Sequence, residues 1–264
     1  MVKYTVLILV CVALAVLSVP AQKPSGGKIE NLANGKEVTF EAADGVKVFA
    51  DLHLSPKGKE APVILLFHQG GADVRGEYER ILPSLLAGGY NVIAADLRVG
   101  GTVFEGTNRT ATALAVQQTD YCAAYPDLVA TLEFAEKEGF KGKKIAWGSS
   151  YSAALVFRLA AENPGKLAGV LAFSPASGGP MEECRPQLYS ENVKVPLLAL
   201  RPASEMQRDV SKAQFEDFRK QGHQTYVSEN GVHGSSMLDA QRVEGDVSEH
   251  WKTVKAFLKR VLEQ

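Results

Sequence analysis

Short uninterrupted apolar runs recur along this chain and alternate with longer segments that have helical spacing. The runs are PVILLF at 62–67, NVIAA at 91–95, KKIAW at 143–147, GVLAF at 169–173 and PLLAL at 196–200. A strand that is buried on both faces of a sheet reads as a continuous apolar run, and parallel neighbours need a helical crossover between them. The alternation therefore predicts a mostly parallel sheet with helices on both faces.

Two further segments extend this sheet. From Val38 the sequence alternates apolar and polar residues around the turn signal Asp44-Gly45, which predicts an antiparallel hairpin. TYVSEN at 225–230 supplies a last strand. We therefore predict an α/β fold, a doubly wound sheet of about eight strands with an antiparallel start.

Five segments between and after these runs have helical spacing. They are EYERILPSLLAGG at 77–89, DLVATLEFAEKEG at 127–139, SAALVFRLAAENP at 152–164, QRDVSKAQFEDFRKQG at 207–222 and EHWKTVKAFLKRVL at 249–262. Glycine is the common residue after a helix end, so we expect the first of these helices to end at its final glycine pair despite the proline inside it.

The composition fits one soluble domain. The chain has 264 residues, of which 45% are hydrophobic, and no linker, charge block or internal repeat divides it. We place the domain at residues 38–264. With 29 basic and 30 acidic residues the chain has no charge excess to neutralise phosphates, so nucleic acid is not an expected partner.

The N-terminus differs from the rest of the chain. Lys3 precedes the uncharged run YTVLILVCVALAVLSV, and Pro20 follows with the small residues Val19 and Ala21 beside it. This pattern predicts a signal peptide over 1–21, a tether over 22–37 and a secreted or periplasmic protein without stable membrane insertion after cleavage. The alternative is a membrane anchor, since the run is near the ~20 apolar residues that span a bilayer.

Cleavage would remove Cys11 and leave Cys122 and Cys184. An even number of cysteines in an oxidising compartment suggests a disulfide between these two. The alternative is a pair of unconnected buried thiols, because cysteine often packs as a small hydrophobe.

Three serines surround one tyrosine where a predicted strand meets a predicted helix, in the stretch WGSSYSA. A nucleophile on such a tight turn needs small residues two positions before and two after it. Trp147 is too large for Ser149 to meet this condition, and Ser152 would lie inside the helix. Ser150, flanked by Gly148 and Ser152, satisfies it. The alternative role for Ser150 is an ordinary helix N-cap.

A serine nucleophile needs a base, and histidine is the usual one. His233 lies in the glycine-bounded loop NGVHGSSML after the last predicted strand and is our candidate. His53 in the hairpin, His223 at a helix end and His250 in the final helix are expected to face solvent. The alternative for His233 is an exposed loop histidine without a role.

An acid must orient the imidazole. Glu205 follows the PLLAL strand by a few residues, where such an acid has to lie, and Asp209 is the competitor that we expect to open the next helix. The order Ser150, Glu205, His233 is that of α/β-hydrolases. For the oxyanion we expect the amide of Tyr151 and one from the turn after PVILLF, with Gly70 preferred and Gln69 beside it.

Taken together, these stretches resemble the α/β-hydrolase family, and most closely its compact bacterial branch of dienelactone hydrolases and small exported esterases. The resemblance runs from about Val38 to Leu262 through LLFHQGGA, AADLR followed by two glycines, IAWGSSYSA, PLLALRPASE and the pair His233-Gly234. It implies a serine hydrolase. No long insertion in the sequence suggests a separate lid domain. The sequence departs from the family pattern at Ser152, where glycine is commoner, and at Glu205, where aspartate is usual.

The expected activity is cleavage of a small or medium carboxylic ester through an acyl-enzyme, with a small-molecule ester or acyl compound as substrate. The alternatives are a peptidase or amidase using the same triad, and a binding protein on a hydrolase fold. No cofactor or metal is expected, since the sequence lacks H-E-x-x-H, a cysteine pair at ligand spacing and a G-x-G-x-x-G fingerprint.

Overall fold

The computed structural model describes residues 35–264. The predicted signal peptide and residues 22–34 of the predicted tether lie outside the described residues. One sheet of eight strands has the order β1-β2-β4-β3-β5-β6-β7-β8. Its strands are β1 Lys36–Glu41, β2 Lys47–His53, β3 Val63–Phe67, β4 Asn91–Asp96, β5 Lys144–Ser149, β6 Gly169–Phe173, β7 Leu197–Pro202 and β8 Gln224–Ser228.

Strand β2 runs opposite to the seven other strands of the sheet. β1 pairs antiparallel with β2, and β2 pairs antiparallel with β4. Every other pairing, from β4 through β3 and β5 to β8, is parallel. This confirms the predicted fold class, an antiparallel hairpin leading into a parallel sheet.

Helices cover both faces of the sheet, and strand β3 shows how. Val63, Leu65 and Phe67 pack into one apolar cluster with helices such as α4 and α5, whereas Ile64 and Leu66 pack into the other with α1, α2 and α8. Because side chains alternate across a strand, a strand covered on both faces must be apolar throughout. The helices are α1 Val74–Tyr78, α2 Leu82–Ala87, α3 Arg109–Ala113, α4 Tyr125–Lys137, α5 Tyr151–Glu162, α6 Asp209–Lys220, α7 Ala240–Val243 and α8 Ser248–Glu263.

The single helix predicted over 77–89 is wrong. The structure has two short helices here, α1 and α2, and Pro83 occupies the first turn of α2. A proline lacks the amide that a helix interior needs, but it fits the first turn, where that amide has no partner. Within residues 35–264, no helix has both the length and the apolar character needed to cross a membrane.

Two of the histidines expected to face solvent are buried instead. His250 lies on the same face of α8 as Val254 and Phe257, and its ring nitrogens lie 2.5 Å from Ser228 Oγ and 2.8 Å from the Met237 carbonyl oxygen. His53 is also buried, at the end of β2. His223 is half-buried, with Nε2 2.8 Å from the carbonyl oxygen of Ser190. The prediction that these three histidines face solvent is therefore wrong for His53 and His250, and His223 is only partly exposed.

Candidate active site

The strand-to-helix turn after β5 carries Ser150 in a rare backbone conformation. Its φ is 59° and its ψ is −114°, a left-handed region that non-glycine residues seldom adopt. The Ser150 amide donates to the Phe173 carbonyl oxygen at 2.8 Å. A Cβ on Gly148 would lie 2.5 Å from the carbonyl oxygen of Ser152, so only glycine fits there. Small residues thus permit the tight turn that the sequence predicts at Ser150.

The three hydroxyls of this turn have different surroundings. Ser152 Oγ accepts from the Ser149 amide at 2.8 Å and donates to the Phe67 carbonyl oxygen at 3.0 Å. Ser149 Oγ accepts from the Ser235 amide at 2.9 Å. Ser149 and Ser152 are completely buried, whereas Ser150 is half-buried. Of the three, Ser150 is the serine that a molecule from solvent can reach.

His233 and Glu205 are in direct contact. Glu205 begins the short turn after β7, and His233 lies in the loop after β8, so two neighbouring strands bring them together. His233 Nδ1 lies 2.5 Å from Glu205 Oε1, which leaves Nε2 as the ring nitrogen for a reacting group. Half of the His233 side chain is exposed, whereas Glu205 is buried.

Glu205 also pairs with a buried arginine. Its second oxygen, Oε2, accepts from the guanidinium of Arg201 in β7. Burial by itself would raise the pKa of Glu205, but His233 and Arg201 outweigh that effect and hold the pKa below its usual range. The carboxylate therefore stays ionised beside the imidazole, as an orienting acid must.

Asp209, the competing acid, does not contact His233. It is the first residue of α6, its side chain is 98% exposed, and it pairs with Lys212 at 3.2 Å. This is the helix-opening position expected for it.

The His233 loop packs against the residue that precedes the candidate nucleophile. The Ser235 amide donates to Ser149 Oγ, and the Gly234 amide donates to Ser174 Oγ at 3.0 Å. The loop and the Ser150 turn therefore lie together at the edge of the sheet formed by the carboxyl ends of the parallel strands. Among the described residues, no hydrogen bond joins Ser150 Oγ to His233. In unbound enzymes this bond is often long or poorly aligned.

The candidate oxyanion donors do not all remain available. The Tyr151 amide is at the first position of α5, where an amide has no intrahelical acceptor. Gly70 lies against Tyr121, since a Cβ on Gly70 would be 2.7 Å from Tyr121 Oη. The Gln69 amide, however, donates to Glu77 Oε2 at 2.6 Å. This corrects the expectation for Gln69, because its amide is directed at a buried carboxylate, and Tyr151 and Gly70 remain.

Glu77 was not anticipated as part of this region. It is completely buried in α1 and lies behind both the Gln69 turn and the Ser149 hydroxyl. Within the described part of the chain, its Oε1 has no partner that meets hydrogen-bond geometry. Burial raises the pKa of Glu77 to about 7, while contacts with Ser149 and Gln69 oppose the rise only partly. In the sequence, the only sign of this residue is an acidic side chain three positions after Val74, which places both on one face of a helix.

A disulfide joins the two irregular segments beside the site. Cys122 and Cys184 are bonded, with their Cα atoms 5.7 Å apart. Cys122 belongs to the segment after β4 and Cys184 to the segment after β6, and both segments follow carboxyl ends of strands. Next to Cys122, the ring of Tyr121 stacks on that of Tyr151 with centroids 4.7 Å apart. The bridge thus fixes a segment that contacts both remaining oxyanion candidates.

A cavity of about 190 Å³ opens beside His233, and Arg201, Arg208, Ser177 and Ser211 are among its lining residues. A larger cavity of about 510 Å³ over β2 and β4 contains none of the predicted catalytic residues, and of these the smaller cavity contains only His233. In residues 35–264, no cluster of three or more His, Cys, Asp or Glu side chains is arranged to hold a metal ion.

The sequence matches a known family. The family model described as alpha/beta hydrolase fold matches residues 62–226, which is more than half of the chain. A search of curated protein sequences found no match.

Solved structures share the fold at low sequence identity. An esterase of Pyrococcus furiosus has a TM-score of 0.65 at 19% identity, over 88% of this chain and 93% of that one. A putative dienelactone hydrolase of Klebsiella pneumoniae has a TM-score of 0.60 at 16% identity, over 84% and 97%. An acylaminoacyl peptidase of Pyrococcus horikoshii has a TM-score of 0.63 at 17% identity and aligns over 87% of this chain, which spans only 42% of the peptidase.

Proposed function

Because this chain belongs to the alpha/beta hydrolase family, we propose that it is a serine hydrolase cleaving carboxylic esters of small or medium size. Ser150 is the nucleophile, His233 the base and Glu205 the orienting acid. The observation that carries this proposal is the 2.5 Å contact between His233 Nδ1 and Glu205 Oε1, in a loop packed against the Ser150 turn. That contact fixes the imidazole tautomer a general base requires.

The reaction proceeds by acyl transfer in two halves. Ser150 Oγ bonds to the ester carbonyl carbon while its proton passes to His233 Nε2. The ester C–O bond then breaks, and the same proton passes to the departing alcohol oxygen. In the second half, water attacks the acyl-enzyme with His233 again as base, and the acid and the free Ser150 hydroxyl are released. Glu205 stays ionised throughout and stabilises the imidazolium that forms in each half.

The charge that develops on the carbonyl oxygen needs fixed donors. The amides of Tyr151 and Gly70 are the proposed pair, since both belong to tight turns at the carboxyl ends of neighbouring strands β5 and β3. Glu77 accepts from the amide of Gln69, the residue before Gly70, and so fixes the turn that carries the Gly70 amide.

The substitution Ser150→Ala tests this proposal. It should reduce hydrolysis of acetyl and butyryl esters by about 10³-fold or more and abolish covalent labelling by a fluorophosphonate probe. The probe reports on the nucleophile even if the chosen esters are poor substrates. Undiminished turnover in this variant would contradict the proposal, and absence of both labelling and turnover in the wild-type protein would favour a binding protein.

An amidase or peptidase is the second candidate, because the fold is also that of an acylaminoacyl peptidase. It would use the same residues but must deliver the proton to an amine. Matched ester and amide substrates with the same acyl group distinguish the two. We propose export of the protein on the basis of the predicted signal peptide, and mass spectrometry of the mature N-terminus tests that separately.

A further inference from the structure

The hydroxyl of Tyr121 has no hydrogen-bond partner among the described residues. Two buried tyrosines differ in this respect. The Tyr78 hydroxyl donates to the Phe67 carbonyl oxygen at 2.7 Å, and the Tyr151 hydroxyl donates to that of Val99, also at 2.7 Å. Tyr121 is half-buried, and its hydroxyl oxygen is not among the buried polar atoms that lack a partner, so this oxygen is accessible from solvent. The Tyr121 hydroxyl can therefore donate to a molecule that enters from solvent.

This hydroxyl lies beside Gly70, which carries one of the two proposed oxyanion amides. A Cβ placed on Gly70 would be 2.7 Å from Tyr121 Oη and 3.1 Å from Cε1 and Cζ of the same ring. Such distances leave no room for a side chain, so the hydroxyl end of the ring is in contact with the Gly70 backbone. Tyr121 thus reaches the turn after β3 from the segment between α3 and α4.

The ring of Tyr121 also contacts the residue that carries the second proposed amide. It stacks on the ring of Tyr151 with centroids 4.7 Å apart and an interplanar angle of 22°. The Tyr151 amide directly follows Ser150. The residue after Tyr121 is Cys122, which is bonded to Cys184. Stacking and the disulfide therefore hold the ring in place, and only the hydroxyl proton has to turn toward an acceptor.

The backbone supplies few donors at this point. The Gln69 amide is directed at Glu77 Oε2, which leaves the amides of Tyr151 and Gly70 as the proposed pair. The Tyr121 side chain is in contact with both of these residues. A hydrogen bond to an ionised oxygen is about twice as strong as one to a neutral oxygen, so a donor placed here acts mainly when charge develops.

We propose that Tyr121 is a further catalytic residue, whose hydroxyl donates a third hydrogen bond to the ester carbonyl oxygen as that oxygen becomes negative. The inference rests on the proposed function and extends it by one residue. Tyr121 keeps its proton throughout, and the hydrogen bond weakens when the C–O bond breaks and the carbonyl forms again. The same contact serves both halves of the reaction, because a tetrahedral oxyanion forms in each.

The substitution Tyr121→Phe tests the inference, since it removes one oxygen and keeps the ring that stacks on Tyr151. We expect kcat/KM for an acetyl ester to fall by about 10²-fold, the loss typical of one oxyanion donor. The urea midpoint of unfolding should not change, because the lost hydroxyl has no partner in the described part of the chain. Tyr90→Phe removes the hydroxyl of another half-buried tyrosine, which packs on the other face of the sheet, and should keep the wild-type rate.

Two matched ketones distinguish an oxyanion donor from a contact with unreacted substrate. When 1,1,1-trifluoropentan-2-one binds, Ser150 Oγ adds to its carbonyl carbon, the Ser150 proton passes to His233, and a tetrahedral oxyanion results. Pentan-2-one binds largely without reacting. In Tyr121→Phe the Ki of the trifluoromethyl ketone should rise by the factor that kcat/KM loses, whereas the Ki of pentan-2-one should stay the same.

The outcomes separate the two proposals. An undiminished rate in Tyr121→Phe overturns the inference, and so does an equal weakening of both ketones, because the hydroxyl would then contact the unreacted carbonyl group. Either outcome leaves the esterase proposal standing. If the wild-type protein neither hydrolyses esters nor is labelled by the fluorophosphonate probe, the proposed function fails and this inference fails with it.

Discussion

Two buried glutamates flank the candidate site, and their ionisation differs. Glu205, behind the imidazole of His233, has a pKa held below its usual range. Glu77, behind the Gln69 turn, has a pKa raised to about 7. Both lose solvent on folding, and in both burial is the largest influence on the pKa. The difference lies in their partners, since Glu205 contacts a guanidinium and an imidazole, whereas Glu77 accepts mainly from a neutral amide and lies beside a hydroxyl.

The comparison shows that burial alone does not decide the charge of a carboxyl group. A directly bonded cation compensates the desolvation of Glu205 and keeps it ionised at neutral pH. Without such a cation, Glu77 is partly protonated at the same pH. The ionised Glu205 can stabilise an imidazolium, whereas Glu77, with a pKa of about 7, is suited to holding the Gln69 turn in place.

The largest expected effect comes from neutralising the ionised member of the pair. Glu205→Gln keeps the shape of the side chain but no longer fixes the imidazole tautomer, so kcat/KM for an acetyl ester should fall by about 10⁴-fold. Asp209→Asn makes the same chemical change at the exposed competing acid and should leave the rate unchanged. A comparable loss in both variants, or none in Glu205→Gln, would remove Glu205 from the triad.

Removing the cation should make Glu205 behave more like Glu77. Arg201→Met leaves the buried carboxylate, the Pro175 carbonyl and Gln214 without their donor, which should cost about 3 kcal/mol of unfolding free energy. The pKa of Glu205 should rise, so activity should fall more steeply toward acid pH than in the wild-type protein. Urea unfolding with the disulfide intact and a pH–rate profile measure the two effects. Arg219→Met, at an exposed arginine, is the control, and an equal loss of stability there would contradict this explanation.

Glu77→Gln should change how stability depends on pH. The folded pKa of about 7 lies above the ordinary value of 4.5, so the folded state holds its proton longer than the unfolded state. Wild-type stability therefore decreases as the pH rises from 4.5 to 7 and is not regained above that. The free energy of unfolding of Glu77→Gln relative to wild type should increase by about 3 kcal/mol between pH 4.5 and pH 8.

Urea unfolding across this pH range measures the difference for Glu77. Glu79→Gln, an exposed change two residues away, should track the wild-type protein. Parallel curves for Glu77→Gln and wild type would mean that Glu77 ionises like an ordinary surface carboxylate.

The smallest expected effect concerns the hydroxyl beside Glu77. Ser149→Ala removes the acceptor of the Ser235 amide and should lower the unfolding free energy by about 1 kcal/mol. Because Ser149 is not the nucleophile, fluorophosphonate labelling should persist and ester turnover should stay within about tenfold of the wild-type rate. Loss of labelling in this variant, with Ser150 intact, would mean that the wrong serine has been assigned.

Local sequence pattern predicted the sheet well because each central strand is apolar on both faces. It also selected Ser150, since Trp147 is too large beside Ser149 and Ser152 would lie inside the helix. It placed Glu205 and His233 after neighbouring strands, where they make contact. It did not find Glu77 or the partners of Arg201, because which buried side chains meet depends on how the turns, strands and helices pack, even where the residues are only 4 or 8 positions apart. The Gln69 donor was wrong because the acceptor of its amide comes from α1, in a stretch that the sequence predicted as part of one longer helix.

The bridge between Cys122 and Cys184 closes a covalent ring of chain through two segments that the sequence separates by 62 positions. Tyr121 sits at one anchor of this ring, against Gly70 and Tyr151, and the cavity wall at Ser177 lies a few residues from the other. The bond prevents the two segments from separating at that point, so moving one of them outward would pull the other with it.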